Sequence, residues 1–118
     1  MHIALTGAAS GIGAALVRRL KAAGHRITAF DIAKPEGVDR WLPVNMADTA
    51  AVAQAADAAE GPFDALILNA GLPPRDGNAA QLLAVNVFGL MATATALEPK
   101  LAPGASIVAT ASRAGEHW

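Results

Sequence analysis

The feature that most limits what this chain can become is the run Thr6-Gly7-Ala8-Ala9-Ser10-Gly11-Ile12-Gly13. Before it lies a short apolar segment, His2-Ile3-Ala4-Leu5-Thr6, which reads as a buried strand. After it, Ile12, Leu16, Val17 and Leu20 recur at helical spacing until Gly24 stops the segment. Each glycine at such a strand-to-helix turn meets a separate need. Gly7 lets the chain leave the strand tightly, Gly11 lets backbone approach a pyrophosphate, and Gly13 lets the helix pack against the sheet. A pyrophosphate there would sit at a helix N-terminus, where free N–H groups and the dipole favour anions. A glycine triplet alone also serves as a plain structural turn. Asp31 narrows the choice, because it ends the next strand-like run, Arg26-Ile27-Thr28-Ala29-Phe30-Asp31, 18 residues past Gly13. An acid at that place hydrogen-bonds an adenosine ribose, although Asp31 by itself could equally cap a loop. Together the two features favour dinucleotide binding. A carboxylate repels a 2′-phosphate, and Ala8, Ala9, Ser10 and Ile32 supply no cation, so NAD is expected over NADP. Lys34, the nearby cation, reads as solvated.

The remaining chain continues the alternation. Residues 41–44 read as a third strand bearing Pro43, and Asp48 as the N-cap of a helix running to about Glu60. Residues 64–69 are a nearly all-apolar strand, a long helix is predicted over about Ala79–Lys100, and residues 105–110 form a fifth strand after Pro103-Gly104. Strands apolar on both faces, alternating with helices, predict an α/β, three-layer, Rossmann-type doubly wound parallel sheet.

Composition excludes other classes. With 118 residues, 53% of them hydrophobic, and a net charge of −1, the chain is one folded domain rather than a disordered one. Near-neutrality removes the basic stripe that nucleic acid requires. Without Cys there is no disulfide framework, thiolate nucleophile or Cys-based zinc site, which suits a cytoplasmic protein. His2, His25 and His117 are too scattered for a metal site, and no Gly-x-Ser-x-Gly elbow is present. The N-terminus lacks the basic region of a signal peptide. The apolar stretch 87–97, interrupted by Gly89, Thr93 and Thr95, reads as too short to cross a bilayer.

At this point the residues resemble the short-chain dehydrogenase/reductase family along the whole chain. The family's Thr-Gly-x-x-x-Gly-x-Gly loop is matched by Thr6, Gly7, Gly11 and Gly13, and its Asn-Ala-Gly by Asn69-Ala70-Gly71. Its mid-helix asparagine is matched by Asn86 and its catalytic serine by Ser112. The short segment from Gly71 to Asn86 and the Ala-Gly-Leu loop are most similar to the bacterial 3α-hydroxysteroid dehydrogenase/carbonyl reductase branch. The adenine-side Asp of relatives is replaced by Asn45. The resemblance implies NAD-dependent hydride transfer between nicotinamide and a secondary alcohol or ketone. It implies cofactor contacts at Gly7, Ser10, Gly11, Ile12, Gly13, Asp31, Asn45, Met46, Asn69, Ala70 and Gly71, and catalytic roles for Ser112 and Asn86. Relatives are commonly dimers or tetramers.

One part of that chemistry is missing. The family's Tyr-x-x-x-Lys pair supplies the acid or base, and this sequence has no tyrosine. The chain ends six residues after Ser112, whereas relatives place the Tyr about a dozen or more residues beyond the Ser. The 118 residues are therefore expected to be the N-terminal half of a longer single-domain protein, inactive and poorly soluble alone, with two more strands and the Tyr-bearing helix to follow. Two alternatives share the loop: a non-catalytic dinucleotide-binding module, and a sugar-nucleotide epimerase or dehydratase relative. The latter usually shows Gly-x-x-Gly-x-x-Gly spacing.

Overall fold

The computed structural model describes residues 1–116, so His117 lies outside it. Five strands form one parallel sheet in the order β3-β2-β1-β4-β5: β1 (His2–Thr6), β2 (Arg26–Asp31), β3 (Arg40–Pro43), β4 (Phe63–Leu68) and β5 (Leu101–Ala109). The register is continuous across the centre, with Leu5 beside Ala29 on one side and beside Ile67 on the other. The α/β doubly wound expectation holds, and four of the five strands fall within one residue of their predicted bounds.

Side chains alternate between two cores because successive strand residues point to opposite faces. Leu5, Ile27 and Ala29 face α1 (Gly11–Ala22) and bury Val17 with them. Ala4, Phe30, Leu66 and Leu68 face the opposite side, where α2 (Thr49–Ala58) contributes Val52 and Ala56 and the long helix contributes Val85 and Leu97. Asp48 caps α2 as predicted, accepting from Ala51 N at 3.0 Å. The helix ends at Ala58 rather than Glu60, and the Lys100 ammonium closes that end, donating to Asp57 O at 2.7 Å and Ala59 O at 2.6 Å. A cation at a helix C-terminus satisfies orphan carbonyls and meets the negative end of the dipole.

Two expectations need correction. The predicted single helix over Ala79–Lys100 is α3 (Ala79–Leu83), a π-helical turn (Ala84–Gly89), α4 (Leu90–Leu97) and a closing 3₁₀ turn (Glu98–Lys100). Taken end to end it spans 22 residues with mean hydropathy 1.6, long and apolar enough to cross a membrane by length and composition. The interruptions at Gly89, Thr93 and Thr95 are too mild to exclude that, and what distinguishes this helix is that it packs on the sheet through Val85, Thr93 and Leu97. The fifth strand starts at Leu101, not residue 105. Leu101 pairs with Phe63 and Ser106 with Ala65, so Pro103 and Gly104 lie in a bulge that the turn-forming pair disguises in the sequence. β5 is a sheet edge, and Ile107 and Val108 are each more than half exposed on its opposite faces.

Candidate functional site

Strand order reverses between β1 and β4: from β1 the chain winds outward to β2 and β3, then returns to place β4 on the other side of β1. Connections leave in opposite directions there, which opens a crevice at the carboxyl ends of the strands. A groove of about 480 Å³ occupies that place, within the size range of small-molecule and cofactor sites. It is lined from β1 and its turn by Gly7, Ser10, Gly11 and Ile12, from the end of β2 by Asp31 and Ile32, and from the end of β3 by Val44, Asn45 and Met46. Asn69, Ala70, Gly71 and Leu72 follow β4, Thr110 follows β5, and Gln81 and Val85 come from the long helix.

The glycine turn is fixed from below. A Cβ on Gly13 would lie 1.7 Å from Gly7 O and 2.8 Å from Asn69 Nδ2, so no side chain fits where the helix crosses the strand exit. Gly11 is the opposite case, with φ +55° and open space where a Cβ would project. Ser10 occupies the N-cap position of α1, yet its hydroxyl makes no cap bond and the first turn carries no acid. The first N–H groups of a helix lack intrahelical acceptors. The groove floor at this point is therefore backbone N–H and a hydroxyl without a partner among the described residues, a setting for an anion.

Asp31 does two local jobs. Its Oδ2 accepts from Ala9 N at 2.9 Å and its Oδ1 from Ala33 N at 3.1 Å, so it ties the glycine turn to the end of β2 and closes its own turn. The loop-capping reading is thus realised, and it leaves further lone pairs on both oxygens, since a carboxylate offers about four acceptor sites. Trp41 Nε1 donates to Asp31 O at 2.9 Å and steadies the same residue from β3.

The β4 side is held by a relay of hydrogen bonds between residues far apart in sequence. Thr6 Oγ1 accepts from both Asn69 N and Ala70 N at 3.0 Å. Asn69 Nδ2 donates to Gly7 O at 3.2 Å, and Asn69 Oδ1 accepts from Thr110 Oγ1 at 3.0 Å, so one side chain joins the ends of β1, β4 and β5. Asn86 behaves differently from a groove residue. Its amide clasps Leu72, with Oδ1 accepting from Leu72 N at 2.8 Å and Nδ2 donating to Leu72 O at 3.0 Å. Asn86 lies in the π-helical turn, and such turns mark places where a helix is reshaped around a site.

Ten of the eleven predicted contact residues therefore line one groove, Gly13 being buried behind it. The two candidates for chemistry, Ser112 and Asn86, do not line it: Ser112 follows β5 as an exposed residue, and Asn86 acts on the wall through Leu72. The sequence reading missed Ile32, Val44, Leu72, Gln81, Val85 and Thr110. For Val85 and Gln81 the signal was present, since residues four apart share a helix face. Among the described residues no three His, Asp or Glu side chains converge as metal ligands.

Comparison with known proteins agrees with this arrangement. The model of the family described as short chain dehydrogenase matches residues 1–118. The 3-alpha-hydroxysteroid dehydrogenase/carbonyl reductase of Comamonas testosteroni is 34% identical over 102 residues, covering 86% of this chain and 39% of that protein. The D-threitol dehydrogenase of Mycolicibacterium smegmatis is 35% identical, covering 93% of this chain and 52% of that protein. The chain thus spans about half the length, or less, of these curated relatives. Among solved structures, serine dehydrogenase from Escherichia coli superposes with a TM-score of 0.86 at 23% identity, over 100% of this chain and 64% of that one, which is a likeness of fold.

Proposed function

The chain belongs to the short-chain dehydrogenase family, and from that premise we propose that its groove holds NAD and that the protein transfers a hydride between the nicotinamide and a secondary alcohol or ketone. The observation that carries the proposal is the groove at the β1/β4 reversal, with an uncommitted anion floor at Ser10 and Gly11 and a carboxylate, Asp31, at its β2 end. A bound nicotinamide supplies the hydride acceptor or donor; orientation and exclusion of water are the chain's part.

The residues present fit that group. The pyrophosphate goes to the N-terminus of α1, at Gly7, Ser10, Gly11 and Ile12, with Gly13 keeping the helix close beneath it. Ribose hydroxyls go to the lone pairs that Asp31 has left after bonding Ala9 and Ala33. No Lys or Arg lines the groove among the described residues, which supports NAD over NADP. Asn45 and Met46 take the base end, and Asn69, Ala70 and Gly71 the wall toward the nicotinamide. Ser112 orients the substrate oxygen, and Asn86 holds the groove wall by its clasp on Leu72. The 118 residues contain no tyrosine, so the Tyr-x-x-x-Lys pair of the family has no counterpart within them.

The partner proposed is a small alcohol or ketone, in a cytoplasmic protein that engages neither nucleic acid nor membrane. Assembly as a dimer or tetramer is proposed as well. It is supported by the apolar stripe Leu83, Val87, Phe88 and Met91, each 40% exposed or more on the long helix.

Calorimetric titration with NAD and NADP tests the reading. The expected result is a preference for NAD of about tenfold or more, a like-charge penalty of about 1.4 kcal/mol at Asp31. Asp31→Asn retains an oxygen for Ala9 N and removes the charge, and it should narrow that ratio. A ratio unchanged in Asp31→Asn overturns the ribose role, and no binding of either dinucleotide to a folded chain overturns the proposal.

A further inference from the structure

Resting on the dinucleotide reading above, we propose that Asn45 makes the base end of the groove a hydrogen-bond donor site. It recognises an acceptor on the purine edge, and the groove therefore takes the hypoxanthine dinucleotide as well as the adenine one.

The placement follows from the sheet. Neighbouring strands lie about 4.8 Å apart, and β1, β2 and β3 are successive neighbours. Phosphate above the end of β1 and ribose at the end of β2 put the base at the end of β3. There Val44 and Met46 are nearly buried, at 6% and 8% exposure, while Asn45 between them is exposed and lines the groove. Asn45 is the polar side chain of that segment.

Its amide is already oriented by the backbone. Oδ1 accepts from Ala47 N at 2.9 Å, and the Asn45 carbonyl accepts from Asp48 N at 3.0 Å, so the side chain is locked in an Asx turn. With the oxygen turned inward, the end left for a ligand is Nδ2, which has no partner among the described residues. An amide nitrogen only donates. A carboxylate held in the same turn would instead present its second oxygen, an acceptor. Of the other two amide side chains on the groove, Asn69 is committed at both ends, to Gly7 O and Thr110 Oγ1, and Gln81 has no hydrogen-bond partner among the described residues and can offer either end, so the discrimination falls to Asn45.

Purine edges differ in what they ask of such a group. Adenine carries an exocyclic N6 amino donor beside ring-nitrogen acceptors, whereas a 6-oxopurine carries an O6 acceptor in place of the amino group. A donor at residue 45 serves the ring nitrogens of adenine or O6 of hypoxanthine. At position 6 an acceptor would serve N6 of adenine and oppose O6 of hypoxanthine, whose edge then offers it only N1–H.

The experiment is calorimetric titration of the full chain and of Asn45→Asp with NAD and with nicotinamide hypoxanthine dinucleotide. Far-UV circular dichroism reports on folding; Asp retains the acceptor for Ala47 N and hence the turn. The wild-type protein should bind the two dinucleotides within about fivefold of each other, the weight of one exposed hydrogen bond. Asn45→Asp should move the ratio toward adenine by about fivefold or more. A wild-type preference for NAD beyond that margin overturns the inference, and this arm stands even if the variant does not fold. A folded Asn45→Asp with an unchanged ratio overturns it too. Failure of both dinucleotides to bind a folded wild-type chain removes the dinucleotide reading itself, an outcome distinct from binding of NAD alone.

Discussion

Replacing Thr6 by Val removes one oxygen atom and should cost more stability than any other isosteric change near the groove. Thr6 is 2% exposed, and its hydroxyl accepts from two backbone N–H groups, those of Asn69 and Ala70, each at 3.0 Å. Val preserves the branched shape, so packing against the neighbouring strands is kept and no cavity opens. The two N–H groups lose their acceptor in a part-buried place where the valine methyl excludes water. Leaving a buried donor unsatisfied costs about 1–3 kcal/mol, so two of them at the lower half of that range give about 2–4 kcal/mol. Against a total stability of about 5–15 kcal/mol this is a large fraction. Urea denaturation followed by circular dichroism measures it, with Thr6→Ser as the control that keeps the oxygen and loses a methyl worth about 0.8 kcal/mol. The variant should also weaken dinucleotide binding, because Asn69 and Ala70 form the groove wall. A Thr6→Val stability within 1 kcal/mol of wild type, or a Thr6→Ser loss as large as that of Thr6→Val, would refute the reasoning.

Gly13→Ala should prevent normal docking of α1, because the new Cβ would meet Gly7 O at 1.7 Å and neither backbone can retreat; a native circular dichroism spectrum with unchanged dinucleotide affinity would contradict this. Stability should fall with acid in two stages. His2 is held below the ordinary imidazole value, by burial first and by Arg26 second. The unfolded chain therefore binds its proton more readily, and stability present above about pH 6.5 is lost below it. Asp39 is held below the ordinary carboxylate value by the hydrogen bond from Lys21 and then by that from Ile27 N, so its contribution persists through neutral pH and disappears below about pH 4. Urea midpoints at pH 8, 5.5 and 3.5 separate the stages, and a flat profile from 8 to 5.5 would dispose of the first.

What could be read from the sequence was whatever carries a period or a fixed spacing. The strand β1, the turn glycines, the N-cap at Asp48 and the acid at the end of β2 all have local signatures, and the structure puts each within a residue of where its signature lies. What could not be read were pairings between distant residues. Thr6 meets Asn69 and Ala70 across more than sixty residues, and Lys100 reaches back more than forty to close α2. No local pattern predicts that a threonine ending one strand will hold the exit of another. Asp31 shows the limit from the other side: its two candidate roles, ribose ligand and loop cap, compete in the sequence, and the fold makes them compatible because a carboxylate has lone pairs for both.

The long helix shows why the apolar pattern identified an element yet misjudged its interior. Two ridges with a spacing of four run along it: Leu83, Val87 and Met91 on one side, and Val85, Gly89, Thr93 and Leu97 on the other. The larger residues of the first ridge are the natural choice for burial by hydrophobicity. The fold buries the second ridge instead, leaving Leu83, Val87 and Met91 at 49%, 40% and 58% exposure. Distance decides between them. A Cβ on Gly89 would lie 2.2 Å from Met46 O, so the helix sits against the end of β3 at a separation only glycine permits. Thr93 satisfies its buried hydroxyl within the helix by donating to Gly89 O at 2.6 Å, which lets a polar residue occupy the tight face without an outside partner. The close approach fixes Met46, and through it Asn45, at the β3 end of the groove, while the π-helical turn one step earlier presents Asn86 to Leu72. The small ridge is therefore the one that shapes the site, and the large ridge is left as the surface on which the proposed subunit contact rests.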